Sequence, residues 1–145
     1  MDQIEPVFTA TATARGGRNG QAETADGSFG VRLSVPKAMG GPGASGAVTP
    51  EDLFAAGYAA CFGGAIDFVA QQRGQDASQV AVTCAVSIGG RDKGGFGLEV
   101  KFRVEDSQLA QADLEALVKA AHEEICPYSH ATRNNVPIAF EVVGR

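Results

Sequence analysis

Two periodicities divide the chain. Bulky and small residues alternate over Val7 to Ala14 (VFTATATA), and apolar and polar residues alternate over Phe29 to Val35 (FGVRLSV). A period of two marks a strand with one covered face. Arg15-Gly16-Gly17-Arg18-Asn19-Gly20 and Asp26-Gly27 supply the turns, because Gly and Asn accept positive φ. The pattern predicts a meander of three strands, followed by a loop from Pro36 to Val48.

Thr49-Pro50-Glu51-Asp52 then changes the period. Thr49 suits an N-cap, Pro50 the first helical position, and the acids favour the first turn. The helix is expected to run to about Arg73, with Gly74 ending it. Its middle is apolar on nearly every face, which predicts a helix at the centre of the molecule. The uncharged stretch from Leu53 to Ile66 is too short to span a bilayer. Gly57, Gly63 and Gly64 each weaken a helix by about 1 kcal/mol relative to alanine, so another backbone is expected to approach there.

Alternation returns at Val80, Val82, Cys84, Val86 and Ile88, and again at Leu98, Val100, Phe102 and Val104. The glycine-rich run from Gly89 to Gly95 between them predicts a hairpin. Leu114, Leu117, Val118, Ala121 and Ile125 form the stripe of a second helix, closed by Cys126-Pro127, since proline disfavours helical geometry in the residue before it. A short turn or helix then leads to a last strand from Ile138 to Val143. The order β-β-β-α-β-β-α-β indicates one α+β domain over residues 1–145.

Composition narrows the function. A net charge of −5, with no run of Lys or Arg, argues against nucleic acid and against anionic membrane surfaces. The N-terminus has neither the basic start nor the apolar run of a secretory signal. Three cysteines in such a chain point to free thiols in a reducing, cytoplasmic setting. The loop from Gly41 to Val48 has two-glycine spacing but lacks the Lys and Ser/Thr of a phosphate loop. There is no Gly-x-Ser-x-Gly elbow to support a serine hydrolase. His122, Cys126 and His130 would align as metal ligands on one continuous helix, but Pro127 interrupts it and no second Cys pair completes a site. No metal or cofactor is expected.

The cysteines differ. Cys84 lies on the inward face of a strand among valines, where a thiol is inert. Cys61 sits among small residues that leave room around its sulfur. Cys126 ends a helix, where carbonyl groups disfavour a thiolate, which suits a second nucleophile better than a first.

Several segments together resemble one family. These are Ala56-Gly57-Tyr58-Ala59-Ala60-Cys61-Phe62, Cys126-Pro127-Tyr128-Ser129 with Ala131-Thr132-Arg133, Gly16-Gly17-Arg18-Asn19-Gly20, and Phe29 to Gly41 with its Ser-Val-Pro ending. Nearly the whole chain is similar, in the same order, to the organic hydroperoxide resistance branch of the Ohr/OsmC family. Three details depart from the pattern: His130 and Asn134 replace Asn and Gly, and the segment His122–Ile125 is one residue longer.

The resemblance implies an OsmC-like fold, with antiparallel sheet wrapped around two long central helices in an intertwined homodimer. It implies a peroxidatic Cys61, a resolving Cys126 and an Arg18–Glu51 ion pair. The implied substrate is an organic hydroperoxide, and the implied reductant is a dithiol such as a protein-bound dihydrolipoamide. Tyr58, Phe62, Phe96 and Tyr128 are candidates to line an apolar substrate pocket. The alternative is a ligand-binding or redox-sensing dimer of the same fold without turnover. On a continuous helix Glu51 and Cys61 would stand ~15 Å apart and ~80° round the axis, so the pair is expected to serve Cys61 of the other subunit unless the helix breaks.

Overall fold

The computed structural model describes all residues from Met1 to Arg145, in two compact units, Met1–Pro50 and Glu51–Arg145. In the first unit β1 (Ala12–Arg15), β2 (Gln21–Thr24) and β3 (Gly30–Arg32) pair antiparallel in chain order, the expected meander. The first strand is shorter than its alternation suggests. Every residue of β1 is exposed, so within this chain no covering face exploits the pattern from Val7 onward.

A single 3-10 turn, Gly17–Asn19, joins β1 to β2 and carries Arg18. Gly16 has φ +77°, and a Cβ on Gly20 would collide with the Arg15 carbonyl oxygen, so this turn needs both glycines. Asn19 pins it from within by accepting the Val35 N–H at 2.9 Å.

The second unit opens with α1 (Pro50–Gln72), which has proline first, Glu51 and Asp52 in its first turn, and Gly74 at φ +67° beyond its end. By length and composition alone α1 could cross a membrane, so the shorter stretch read from the sequence underestimates it. Packing within the chain explains part of its apolar character. Tyr58, Phe62 and Ile66 are fully buried, and the rings of Tyr58 and Phe62 lie 4.7 and 4.8 Å from that of Phe102 on the sheet.

That sheet is built from β4 (Ala81–Gly90), β5 (Phe96–Glu105) and β6 (Ile138–Val143). The β4–β5 hairpin pairs ten residues on each side, from Ala81 opposite Glu105 to Gly90 opposite Phe96. β6 lies on the other edge of β5 and runs parallel to it, which corrects the expected all-antiparallel sheet. The reason is topological: helices intervene between β5 and β6, and such a crossover returns the chain in the same direction.

The crossover begins with α2 (Gln111–Ala120), which widens into a π turn over Ala121–Ile125. Here the Cys126 N–H bonds the Ala121 carbonyl at 2.9 Å. An i→i+5 turn holds one more residue than an α turn. Pro127 does more than stop a helix. It occupies the first position of α3 (Pro127–Thr132), with Cys126 as the N-cap.

The helix glycines behave differently from expectation. Opposite Gly57 stands the Tyr128 side chain, whose hydroxyl would lie 3.3 Å from an added Cβ, and Gly63 faces a Val82 methyl at 3.7 Å. Gly64 is exposed and faces open space. Side chains, not a second backbone, use the room within this chain.

Phe102 lies at the centre of the packing, stacked on Phe62 and, at 5.3 Å, on Phe140. Phe102→Ala is expected to destabilise the fold by about 3–5 kcal/mol. Urea denaturation followed by circular dichroism at fixed protein concentration measures this; a loss below about 1 kcal/mol would contradict the packing described.

Candidate functional site

Tyr58 and Phe62 are four residues apart and share the buried face of α1. Cys61 falls at the border of that face and is half-buried. Cys126, held at the junction of the π turn and α3, is 1% exposed. Their sulfurs lie 3.6 Å apart, and both are free thiols. A disulfide bond is ~2.0 Å long, so the pair stands in contact but unbonded. The more accessible sulfur is on the long helix and the buried one waits behind it.

Electrostatics set the task. Burial pushes the Cys61 thiol above its ordinary pKa, a hydrogen bond from the Tyr128 main-chain N–H works against that rise, and neighbouring Cys126 adds to it. Burial in this site therefore favours the neutral thiol over the thiolate. The setting of Cys126 differs from its expected one. Besides closing the preceding turn, its sulfur accepts the Ser129 N–H at 3.4 Å as the cap of α3, so donors as well as carbonyls face it.

A polar network lies beside the sulfurs. The Tyr58 hydroxyl is 2.9 Å from both the Ser129 and Thr132 hydroxyls, and Ser129 Oγ is 3.0 Å from His122 Nδ1. His122 is half-buried with its ring edge-on to Phe140. Sequence pattern alone offered His122 only as a metal ligand in line with Cys126 and His130. The available clue was Tyr58 itself, since a tyrosine hydroxyl in an apolar core requires partners.

The aromatic candidates separate. Tyr58 and Phe62 are fully buried and leave no surface for a substrate in this chain; they support the site from below. Tyr128 is 42% exposed and packs against Phe54 and Tyr58, so it does border Cys61 and Cys126. Phe96 is 72% exposed at the hairpin end of β5. Six residues of strand, ~20 Å, separate it from Phe102, so the chain does not bring it to Cys61. Arg18 is half-buried in its 3-10 turn and Glu51 is half-buried in the first turn of α1. The helix from Glu51 to Cys61 is unbroken.

The family model for OsmC-like protein matches residues 41–141. An organic hydroperoxide resistance protein of Xanthomonas axonopodis pv. citri is 44% identical over 135 residues, covering 92% of this chain and 93% of that protein. Among solved structures, an organic hydroperoxide resistance protein of Legionella pneumophila is similar with a TM-score of 0.89 and 42% identity, over 97% of this chain and all of that one. One from Elizabethkingia anophelis has a TM-score of 0.90 and 36% identity, over 98% of this chain and all of that one.

The third thiol provides a contrast. Cys84 is half-buried on β4 opposite Phe102, and burial pushes its pKa up to about 11. At about pH 8 only roughly one Cys84 in a thousand is thiolate. Alkylation followed by peptide mass mapping is expected to leave Cys84 unmodified in the folded protein until the pH nears that value. Labelling of Cys84 at about pH 8, as fast as an unfolded control, would contradict this.

Proposed function

The chain belongs to the OsmC-like family, on its organic hydroperoxide resistance branch, and from that membership we propose that it is a thiol peroxidase that reduces organic hydroperoxides to alcohols. One observation carries the mechanism: a half-buried Cys61 sulfur 3.6 Å from the buried Cys126 sulfur, both reduced. The Cys61 thiolate attacks the terminal peroxide oxygen and the O–O bond breaks. The alkoxide leaves as an alcohol after taking a proton, and Cys61 becomes a sulfenic acid. Cys126 attacks that sulfur, the S–O bond breaks, and the Cys126 proton leaves with the hydroxide as water. The disulfide stops Cys61 from climbing further up the oxidation ladder.

Reset requires an external dithiol, such as a lipoyl group in its reduced form, which exchanges with the disulfide. Arg18, paired with Glu51, supplies the fixed positive charge. Arginine suits this role because it stays protonated beside a thiolate and has N–H groups left for a peroxide oxygen. The unbroken α1 helix supports delivery to Cys61 of the other subunit of a homodimer. Incomplete burial supports the dimer too: only 33% of the most apolar stretch of α1 is buried within the chain. Ala56, Ala60, Gly64 and Phe68 form an exposed stripe along it. The setting we propose is the cytoplasm.

Cys61→Ser is expected to abolish peroxide consumption, while Cys126→Ser completes one turnover and stops with an oxidised Cys61 that a sulfenic-acid trap captures. Multi-turnover activity in Cys61→Ser would overturn the assignment. A wild-type protein that oxidises once but never consumes peroxide steadily with a dithiol would instead be a redox sensor.

Tyr128 and Phe54 give the mouth of the site apolar surface, so a fatty-acid or tert-alkyl hydroperoxide is expected to show higher kcat/KM than hydrogen peroxide. Each CH₂ removed from water contributes up to about 0.8 kcal/mol. Equal kcat/KM for hydrogen peroxide under the same reductant would exclude an apolar pocket as the source of selectivity.

A further inference from the structure

We infer that His122 is a positioning residue for the Cys61–Cys126 pair, acting through a one-way chain of hydrogen bonds from its ring, through Ser129, to Tyr58 on α1. The inference rests on the proposed peroxidase for its purpose; its geometry stands by itself.

The direction of the chain follows from counting protons. Thr132 Oγ1 lies 2.8 Å from the Tyr128 carbonyl oxygen, which has no proton to give, so the threonine donates. Its single proton is then in use, and Thr132 accepts from the Tyr58 hydroxyl at 2.9 Å. Tyr58 in turn accepts from Ser129, also at 2.9 Å. Ser129 has no proton left for His122, so across their 3.0 Å separation Nδ1 is the donor. The neutral ring therefore carries its proton on Nδ1 and a lone pair on Nε2.

This chain ties together the three elements that hold the sulfurs. Tyr58 precedes Cys61 by three residues on α1, His122 is the second residue of the π turn, and Ser129 lies on α3. Ser129, held through its hydroxyl on both sides, is the residue whose N–H meets the Cys126 sulfur at 3.4 Å. Arg133 at the end of α3 adds a second tie, donating from Nη2 to the His122 carbonyl at 2.6 Å.

The donor assignment has a consequence for pH. The ionised neighbours of the ring are Arg133 and Glu123, and its other contacts, Ser129 and Phe140, are uncharged. Burial and then the Arg133 charge hold His122 below its ordinary pKa, with Glu123 opposing them. On acidification the incoming proton goes to Nε2 and the Nδ1 donor survives. A histidine that accepted from Ser129 would lose its bond over the same range.

The test measures the effective concentration of the Cys61–Cys126 disulfide at equilibrium in dithiothreitol redox buffers, for wild type and for His122→Ala, His122→Asn and His122→Asp. Asparagine keeps an N–H donor near the Nδ1 position, whereas aspartate cannot donate. The Ala and Asp variants are expected to pair about tenfold more weakly, with Asn close to wild type. Wild-type pairing, corrected for dithiothreitol ionisation, is expected to stay level from about pH 7.5 to about pH 5.5. If the alanine variant does not fold, the size-matched Asn and Asp variants carry the comparison. Equal pairing in those two, or a tenfold fall in wild type over that pH range, overturns the inference. Pairing that follows the expected order in a protein that consumes no peroxide overturns the proposed function and leaves His122 its role. Peroxide turnover with unchanged pairing in all three variants does the reverse.

Discussion

A phenol hydroxyl enclosed by aromatic rings has to find hydrogen-bond partners, and Tyr58 finds them on a helix 71 residues further along the chain. Leaving that hydroxyl unsatisfied would cost about 1–3 kcal/mol, a large share of the stability of a small domain. The ring is fixed edge-on to Phe102, so the partners must come to it. Ser129 and Thr132 do so, and they bring α3 with them. Cys126, at the head of α3, arrives beside Cys61 as a result. The meeting of the two sulfurs thus depends on satisfying an oxygen in the core.

The same enclosure creates an electrical problem. An apolar helix packed on a sheet partly shields Cys61 from water, and that burial opposes the thiolate. The molecule answers with placement more than with charge inside this unit: one sulfur half-exposed, one covered, and a third on β4 whose pKa burial raises to about 11. In the proposed reaction, accessibility would set the order of the two thiols and burial would confine it to one pair.

Much of this fold was legible from the residues, and the gaps have physical causes. Proline at position 50 and the glycine at 74 bracket α1 because each has a backbone preference that acts locally. The β4–β5 hairpin shows in its period of two because one face is covered along its length. The parallel course of β6 does not show, because strand direction is decided by the intervening helices and leaves no trace in alternation. α3 has six residues, too few to display a period. Cys61 and Cys126 stood out through their surrounding motifs. The bonding of His122 stayed hidden because its partner Ser129, seven residues on, meets it only through the wide turn between them. The distance of Phe96 from Cys61 within one chain was not legible, since aromatic character reveals neither depth nor position along a strand.

The wide turn at Ala121–Ile125 also separates two rotational settings. Residues before it must keep the α2 stripe against the core, with Leu114 and Leu117 fully buried. Residues after it must aim a sulfur at α1. In an ordinary helix these demands are locked together, since every residue added or removed swings all later side chains by about 100°. Here the surplus residue is absorbed as girth. The turn works as a slip joint: chain length on one side can change by a residue while the orientation on the other side is kept.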